Sequence, residues 1–171
     1  MNDMDKALHA FDCALHHNPN NMKALIQTAS IYRARDQYDK AVSYYKRALT
    51  IDGENSAIWG ALGHCFLMMD DLHKAYSSYH QAVYTDKLHN KGKQDPQLWY
   101  GIGILYERYG SLENAEEAFT TVLKSDEHFE KTNEIYFRIG IIYKQQQKYD
   151  QSLECFNHIL TNPPPPLTKA D

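Results

Sequence analysis

The sequence predicts an all-α fold, a row of antiparallel helix pairs, and three observations carry that prediction. A small residue followed four places later by an aromatic one recurs at Ala7/Phe11, Ala41/Tyr45, Ala75/Tyr79, Ala115/Phe119 and Ser152/Phe156, at spacings of 34, 34, 40 and 37 residues. Sixteen residues upstream of these pairs a second pattern returns: Trp59-x2-Leu62-Gly63-x2-Phe66, Trp99-x2-Ile102-Gly103-x2-Tyr106 and Tyr136-x2-Ile139-Gly140-x2-Tyr143, with Leu25-x2-Thr28-Ala29-x2-Tyr32 as a weaker copy. Helix-stopping residues stand in register, Pro19 and Pro164 eight residues after Phe11 and Phe156, and Gly53 eight after Tyr45.

Offsets of three and four put Trp59, Leu62, Gly63 and Phe66 on one helical face, which is the period of an amphipathic segment. The first helix is expected near 4–17, around Ala7 and Phe11, and ends before Pro19. The pairs then follow as 22–35 with 38–51, 56–69 with 72–86, 97–109 with 112–125, and 131–146 with 149–161. Gly63, Gly103 and Gly140 leave no side chain where the first helix of a pair meets the second, and Ala41, Ala75 and Ala115 do the same from the other side. The rings of Tyr45, Tyr79, Phe119 and Phe156 fill the space between neighbouring pairs, so one pair alone could not bury its face. Two irregularities lengthen the period, a loop rich in Lys, Asn and Gly at 90–95 and three residues at 130–132 expected to extend a helix. The proline run after Asn162 stops the last helix and favours a stiff extended connection, with a proline-motif ligand as the alternative reading.

Composition narrows the function. With 43% hydrophobic residues, eight Gly and six Pro in 171, the chain can build a core and is neither disordered nor collagenous. A net charge of −4 and a pI near 6.1 argue against a partner held by phosphate neutralisation, so no direct nucleic-acid binding is expected. The apolar stretch at Cys65–Met69 is far shorter than the roughly 20 residues a membrane span needs. The acidic start, Met1 to Lys6, lacks the features of an export signal. Cys13, Cys65 and Cys155 are odd in number and set among apolar residues, and so read as reduced core thiols of an intracellular protein.

No catalytic, metal or cofactor site is expected. His64 and Cys65 are adjacent on a helix and point about 100° apart, so helix geometry alone cannot aim both at one zinc. His73 and His80 share a face without a third ligand, and read as surface residues. Gly101-x-Gly103 follows no strand and lacks the third glycine of a phosphate loop. Asp70-Asp71 falls in a turn, where capping is the expected role, and Glu113 to Glu117 form a solvated face.

These repeats resemble the tetratricopeptide repeat, over nearly the whole chain. The resemblance implies a right-handed superhelix, an α-solenoid of helix-turn-helix repeats forming a single array over 1–171. On that register 1–21 is helix B of a truncated repeat, 22–55, 56–89, 96–129 and 133–166 are repeats, 90–95 is an insertion and 162–171 a proline-rich end. The packing residues are then Ala7, Phe11, Ala41, Tyr45, Trp59, Gly63, Ala75, Tyr79, Trp99, Gly103, Ala115, Phe119, Tyr136, Gly140 and Phe156. Positions 2, 5, 9, 12 and 13 of each helix A face an inner groove in such proteins. Here they give Ile26, Ser30, Arg33 and Ala34; Gly60, His64, Leu67 and Met68; Tyr100, Ile104, Glu107 and Arg108; and Phe137, Ile141 and Lys144. This groove is unusually apolar, and a partner's amphipathic helix would bury it; mutual covering across a tightly curved array is the competing reading. Groove positions that would hold a chaperone's terminal carboxylate are mostly aliphatic or aromatic, which disfavours a chaperone or trafficking adaptor.

Longer stretches are more specific. Ala61 to Asp71, Leu98 to Phe119, His128 to Lys131, Glu134 to Lys144 and Leu153 to Phe156 closely resemble the N-terminal repeats of fungal general transcriptional co-repressors of the Cyc/Ssn type. The resemblance implies a nuclear scaffold without enzymatic activity. Its implied partners are a helical segment of a Tup-type WD-repeat co-repressor, DNA-binding transcription factors and histone deacetylases. The chain opens on a helix B, which the resemblance reads as a truncated repeat whose missing first helix would weaken Tup-type binding. The repeat region of UTX-type histone demethylases is similar over Tyr136 to Lys144 and stands as the alternative, the binding arm of a chromatin enzyme.

Overall fold

The computed structural model describes residues 2–89 and 94–163, and among these every regular element is an α-helix. The chain divides into two compact units, Met1–Gln94 and Asp95–Asp171.

The first unit holds α1 (Asp3–His17), α2 (Met22–Ala34), α3 (Tyr38–Ile51), α4 (Ser56–Met68) and α5 (Leu72–His89). Helices adjacent in sequence pack together, α2 with α3 and α4 with α5 as pairs, while α1 lies on α2 and α3 on α4. Asn21 caps α2 by accepting from the Ala24 N–H, and Asn55 caps α4 by accepting from Ile58. Each such cap contributes about 1 kcal/mol. Asp71 accepts from Lys74 N–H at the start of α5, the capping role expected for the Asp70-Asp71 turn. Leu25, Ala29, Ala41, Tyr45, Ile58, Leu62, Cys65, Phe66, Ala75 and Tyr79 form the buried interior. Trp59 is half-buried and donates its indole N–H to the Gly53 carbonyl at 2.9 Å.

The second unit holds α6 (Pro96–Arg108), α7 (Leu112–Ser125), α8 (Thr132–Gln145) and α9 (Tyr149–Thr161). Asp95 accepts from Gln97 N–H with Pro96 in the first turn, where a missing N–H costs nothing. Ala115, Phe119, Val122, Phe129, Ile135, Ile139, Ile142 and Cys155 form its core, with Trp99 and Tyr136 packed against it. Tyr136 also stacks on His158 at 3.8 Å.

One device closes all four pairs. Asp36, Asp70, Gly110 and Gln147 have φ of 58°, 60°, 76° and 61°. The next residue in each case, Gln37, Asp71, Ser111 or Lys148, donates its N–H back to the carbonyl of Tyr32, Phe66, Tyr106 or Tyr143. That is the bonding of a Schellman stop, which satisfies a helix-end carbonyl and reverses the chain. The glycines inside the pairs have a different task. A Cβ at Gly63 would stand 3.0 Å from the Tyr79 ring, one at Gly103 2.5 Å from Phe119 and one at Gly140 2.9 Å from Phe156.

Several expectations are revised. Cys13 is exposed, because α1 packs against α2 and has its other faces open, so the chain has two core thiols rather than three. Residues 130 and 131 lie in a turn and only Thr132 joins α8, so the second insertion forms a connection instead of lengthening a helix. Helix α5 runs three residues past the expected end at 86, and His89 meets Glu54 at 3.2 Å. Residues 90–93 of the expected loop, and Pro164 to Pro166, lie outside the described residues.

Candidate functional site

In the first unit, Ser30 and Arg33 of the expected groove residues of α2 are half-buried and engaged locally. Ser30 Oγ lies 3.2 Å from the Tyr45 hydroxyl, and the Arg33 guanidinium sits 6.0 Å over the Tyr45 ring. Ile26 is half-buried and Ala34 exposed. On α4, His64 is half-buried with its ring edge-on to Tyr38, and Met68 is 46% exposed. Leu67 is only 3% exposed and belongs to the interior, not to an open groove. The neighbouring Cys65 is fully buried, and burial pushes its thiol up to about 11.

The second unit brings its residues together more closely. The Tyr100 hydroxyl on α6 donates to Glu134 Oε1 on α8 at 2.6 Å. Arg138 donates to that same oxygen and to Glu107 Oε1, each at 2.9 Å, so one guanidinium ties α8 to α6. Burial opposes ionisation of Glu134, but the donors Tyr100 and Arg138 outweigh it and hold the carboxyl below its usual range. Burial and the Glu134 carboxylate together raise the Tyr100 phenol. The Tyr100 ring packs near Phe119 and Phe129, with Lys131 Nζ 4.7 Å over its face.

Apolar residues stand at corresponding positions of the same two helices. Phe137 is 53% exposed, although its ring also meets Phe156 at 5.9 Å. Ile141 follows one turn later on the same face of α8 and is half-buried, as is Ile104 on α6, while Arg108 and Lys144 are exposed. These residues can take apolar side chains, and the exposed cations can meet acidic ones.

Sequence reasoning missed Glu134 and Arg138. Glu134 was legible, since it holds the second position of the final helix A, one of those that face the groove. Arg138 sits between groove positions and reaches the site only through its long side chain, for which the repeat pattern has no signal. Among the described residues no group of three or more His, Cys, Asp or Glu is placed to hold a metal ion, and no helix is long and apolar enough to cross a membrane. His73 and His80 are exposed, the latter stacked on Tyr76.

Comparison with known proteins identifies the repeats. The tetratricopeptide-repeat family profiles match residues 22–65, 96–129 and 134–165. Over 133 residues, 78% of the chain, it is 58% identical to the general transcriptional corepressor trfA of Dictyostelium discoideum, covering 9% of that protein. It is likewise 58% identical over 134 residues to the general transcriptional corepressor ssn6 of Schizosaccharomyces pombe, covering 78% of the chain and 12% of the relative. The chain thus spans about a tenth of the length of these curated relatives. Among solved structures, a crystal structure of MamA superposes with a TM-score of 0.79 at 21% identity, covering 93% of this chain and 88% of that one, a likeness of fold alone.

Proposed function

Because the chain belongs to the tetratricopeptide-repeat family, we propose that it is a protein-interaction scaffold of a transcriptional co-repressor, acting in the nucleus by recruitment and not by catalysis. On this reading its partners are a helical segment of a Tup-type WD-repeat co-repressor and DNA-binding transcription factors. The names of the relatives, general transcriptional corepressors 58% identical over 78% of the chain, support the role.

The single observation that carries the binding mode is the exposure of Phe137, with Ile141 one turn later on α8 and Ile104 at the corresponding position of α6. A ring 53% exposed on a helix whose other apolar residues are largely covered is a surface that a partner's apolar face would bury. A helix laid on α6 and α8 would cover all three, and acidic residues on its flank would meet Arg108 and Lys144. The tie through Glu134 and Arg138 holds α6 against α8, so the patch is formed before the partner arrives and less ordering is needed on binding. The test is fluorescence anisotropy of a labelled peptide carrying the N-terminal helical segment of the WD-repeat co-repressor. Saturable binding that Phe137→Asp abolishes, with helicity kept, is the expected result. A folded chain that shows no binding at high micromolar concentration sinks the assignment.

A further inference from the structure

Helix α5, in the first unit, carries an exposed row of its own. Tyr76, Tyr84 and Leu88 are 43%, 59% and 57% exposed, and with His80 they stand four residues apart, so they form one ridge along the helix. Tyr76 stacks on His80 with ring centroids 6.0 Å apart. The repeat does not call for this ridge. With the pairs aligned on Ala75 and Tyr79, the place of Tyr84 is held by Thr50, Lys124 and Thr161, and that of His80 by Lys46, Thr120 and Asn157. All six are polar. Leu88 is reached only because α5 has 18 residues where α3, α7 and α9 have 14, 14 and 13. Packing inside the pair uses Ala75, Tyr79 and Ala82, each buried, and leaves Tyr84 and Leu88 in solvent.

The charges around the ridge have one sign. The open side of α5 carries His73, Lys74, His80 and Lys87, and the helix's one carboxylate, Asp86, is buried. Lys74 meets Asp71 at 3.4 Å, and at the far end His89 meets Glu54 at 3.2 Å. Lys87, one residue from Leu88 and three from Tyr84, has no carboxylate partner among the described residues. A cation of α3 stands at the edge of this side, since Lys46 Nζ lies 5.8 Å over the Phe66 ring and Lys74 Nζ 5.7 Å over the same ring. A chain of net charge −4 thus presents here an apolar row bordered by ammonium groups. Its complement is a helix whose apolar face is flanked by carboxylates.

We propose that this side of α5 is a docking surface for an acidic amphipathic helix of a partner protein. Side chains four residues apart form ridges that fit the grooves of a second helix at a crossing angle of about 50°. The partner's apolar residues would bury Tyr84 and Leu88, and its carboxylates would meet Lys87 beside the ridge and Lys74 and Lys46 at its edge. A nucleic-acid strand is a poorer fit, because its affinity rests on many cations and this side offers few. The surface uses no residue of the second unit, so it stands or falls apart from the reading above.

The test uses two fluorescein-labelled helical peptides of about 20 residues. Both carry leucines at four-residue steps in an alanine background; one has glutamates beside the leucines and the other has lysines. Anisotropy should show saturable binding of the glutamate peptide, at least about tenfold tighter than that of the lysine peptide and weakened by salt. The amide signals of Tyr84 and Lys87 should shift as it binds. Tyr84→Ser and Leu88→Ser each weaken it several-fold with helicity kept, because both side chains are exposed, and Lys87→Glu weakens it about tenfold. Equal binding of the lysine peptide, no binding of the glutamate peptide, or unchanged affinity in Tyr84→Ser and Leu88→Ser overturns the proposal. So does tighter binding of a single-stranded DNA oligomer, or a dimer of the chain in sedimentation that Tyr84→Ser dissolves.

Discussion

Replacing Gly103 by alanine is the sharpest test of how the helix pairs are held. A methyl group there would lie 2.5, 2.7 and 2.9 Å from Cε1, Cδ1 and Cζ of Phe119. Phe119 is 0% exposed and belongs to the same buried cluster as Val122, Ile135 and Ile139, so its ring has no open space to swing into. Overpacking of this kind costs about 1–3 kcal/mol, while alanine gains about 1 kcal/mol over glycine within a helix. Because the ring cannot yield, the cost falls in the upper part of that range, at about 2–3 kcal/mol, and subtracting the gain leaves a net loss of about 1–2 kcal/mol. At Gly63 the nearest atom is at 3.0 Å, and a shift of a few tenths of an ångström relieves it, so Gly63→Ala should lie within about 1 kcal/mol of the parent. Gly140→Ala should also be mild, because Phe156 is only half-buried and can turn outward. The chain has two tryptophans, Trp59 in the first unit and Trp99 in the second. Urea unfolding followed by Trp99 fluorescence in a Trp59→Phe background therefore reports the second unit alone. A Gly103→Ala variant as stable as its parent, or more so, refutes the packing argument.

Two further outcomes follow from the electrostatics. Glu134 is held below the usual carboxylate range, so it contributes stability above its unfolded pKa that is lost as pH falls through the folded one. Urea midpoints between pH 6 and pH 3 should fall more steeply for the parent than for Glu134→Gln, by about 1 kcal/mol at most given the partial exposure of the ion pair, and parallel slopes would remove Glu134 from the account. Thiol titration at pH 8 should find Cys13 reacting quickly in the folded chain, whereas Cys65, pushed up to about 11 by burial, and Cys155, raised by burial and by Glu154 and Glu116, react only on unfolding; three fast thiols would contradict the burial described.

The helices were legible because the chain repeats itself, and each pair could be read against its siblings. Ends were harder, for a physical reason. Three of the four left-handed turn residues are Asp36, Asp70 and Gln147, and only Gly110 has the glycine that marks such a position, so the backbone bonds that stop those helices left little trace in the sequence. Leu67 was expected in the groove because it holds the twelfth position of its helix A, and α4, with only Ser56 and His64 polar among thirteen residues, offers no polar face to check that register. A helix apolar all round does not say which side faces a partner. The expected apolar face of the second unit likewise hid its polar half. Tyr100 looked like a hydrophobic groove residue until its hydroxyl was found on Glu134, and Arg138 became visible only through its reach to Glu107.

A partner helix on the face of α6 and α8 around Phe137, as proposed, is detected by methyl NMR of isoleucine-labelled protein titrated with the helical segment of the WD-repeat co-repressor. The account predicts that the Ile104 and Ile141 methyl signals move and saturate together, while those of the buried Ile58 and Ile135 stay in place. Saturable binding that leaves Ile104 and Ile141 unmoved contradicts it.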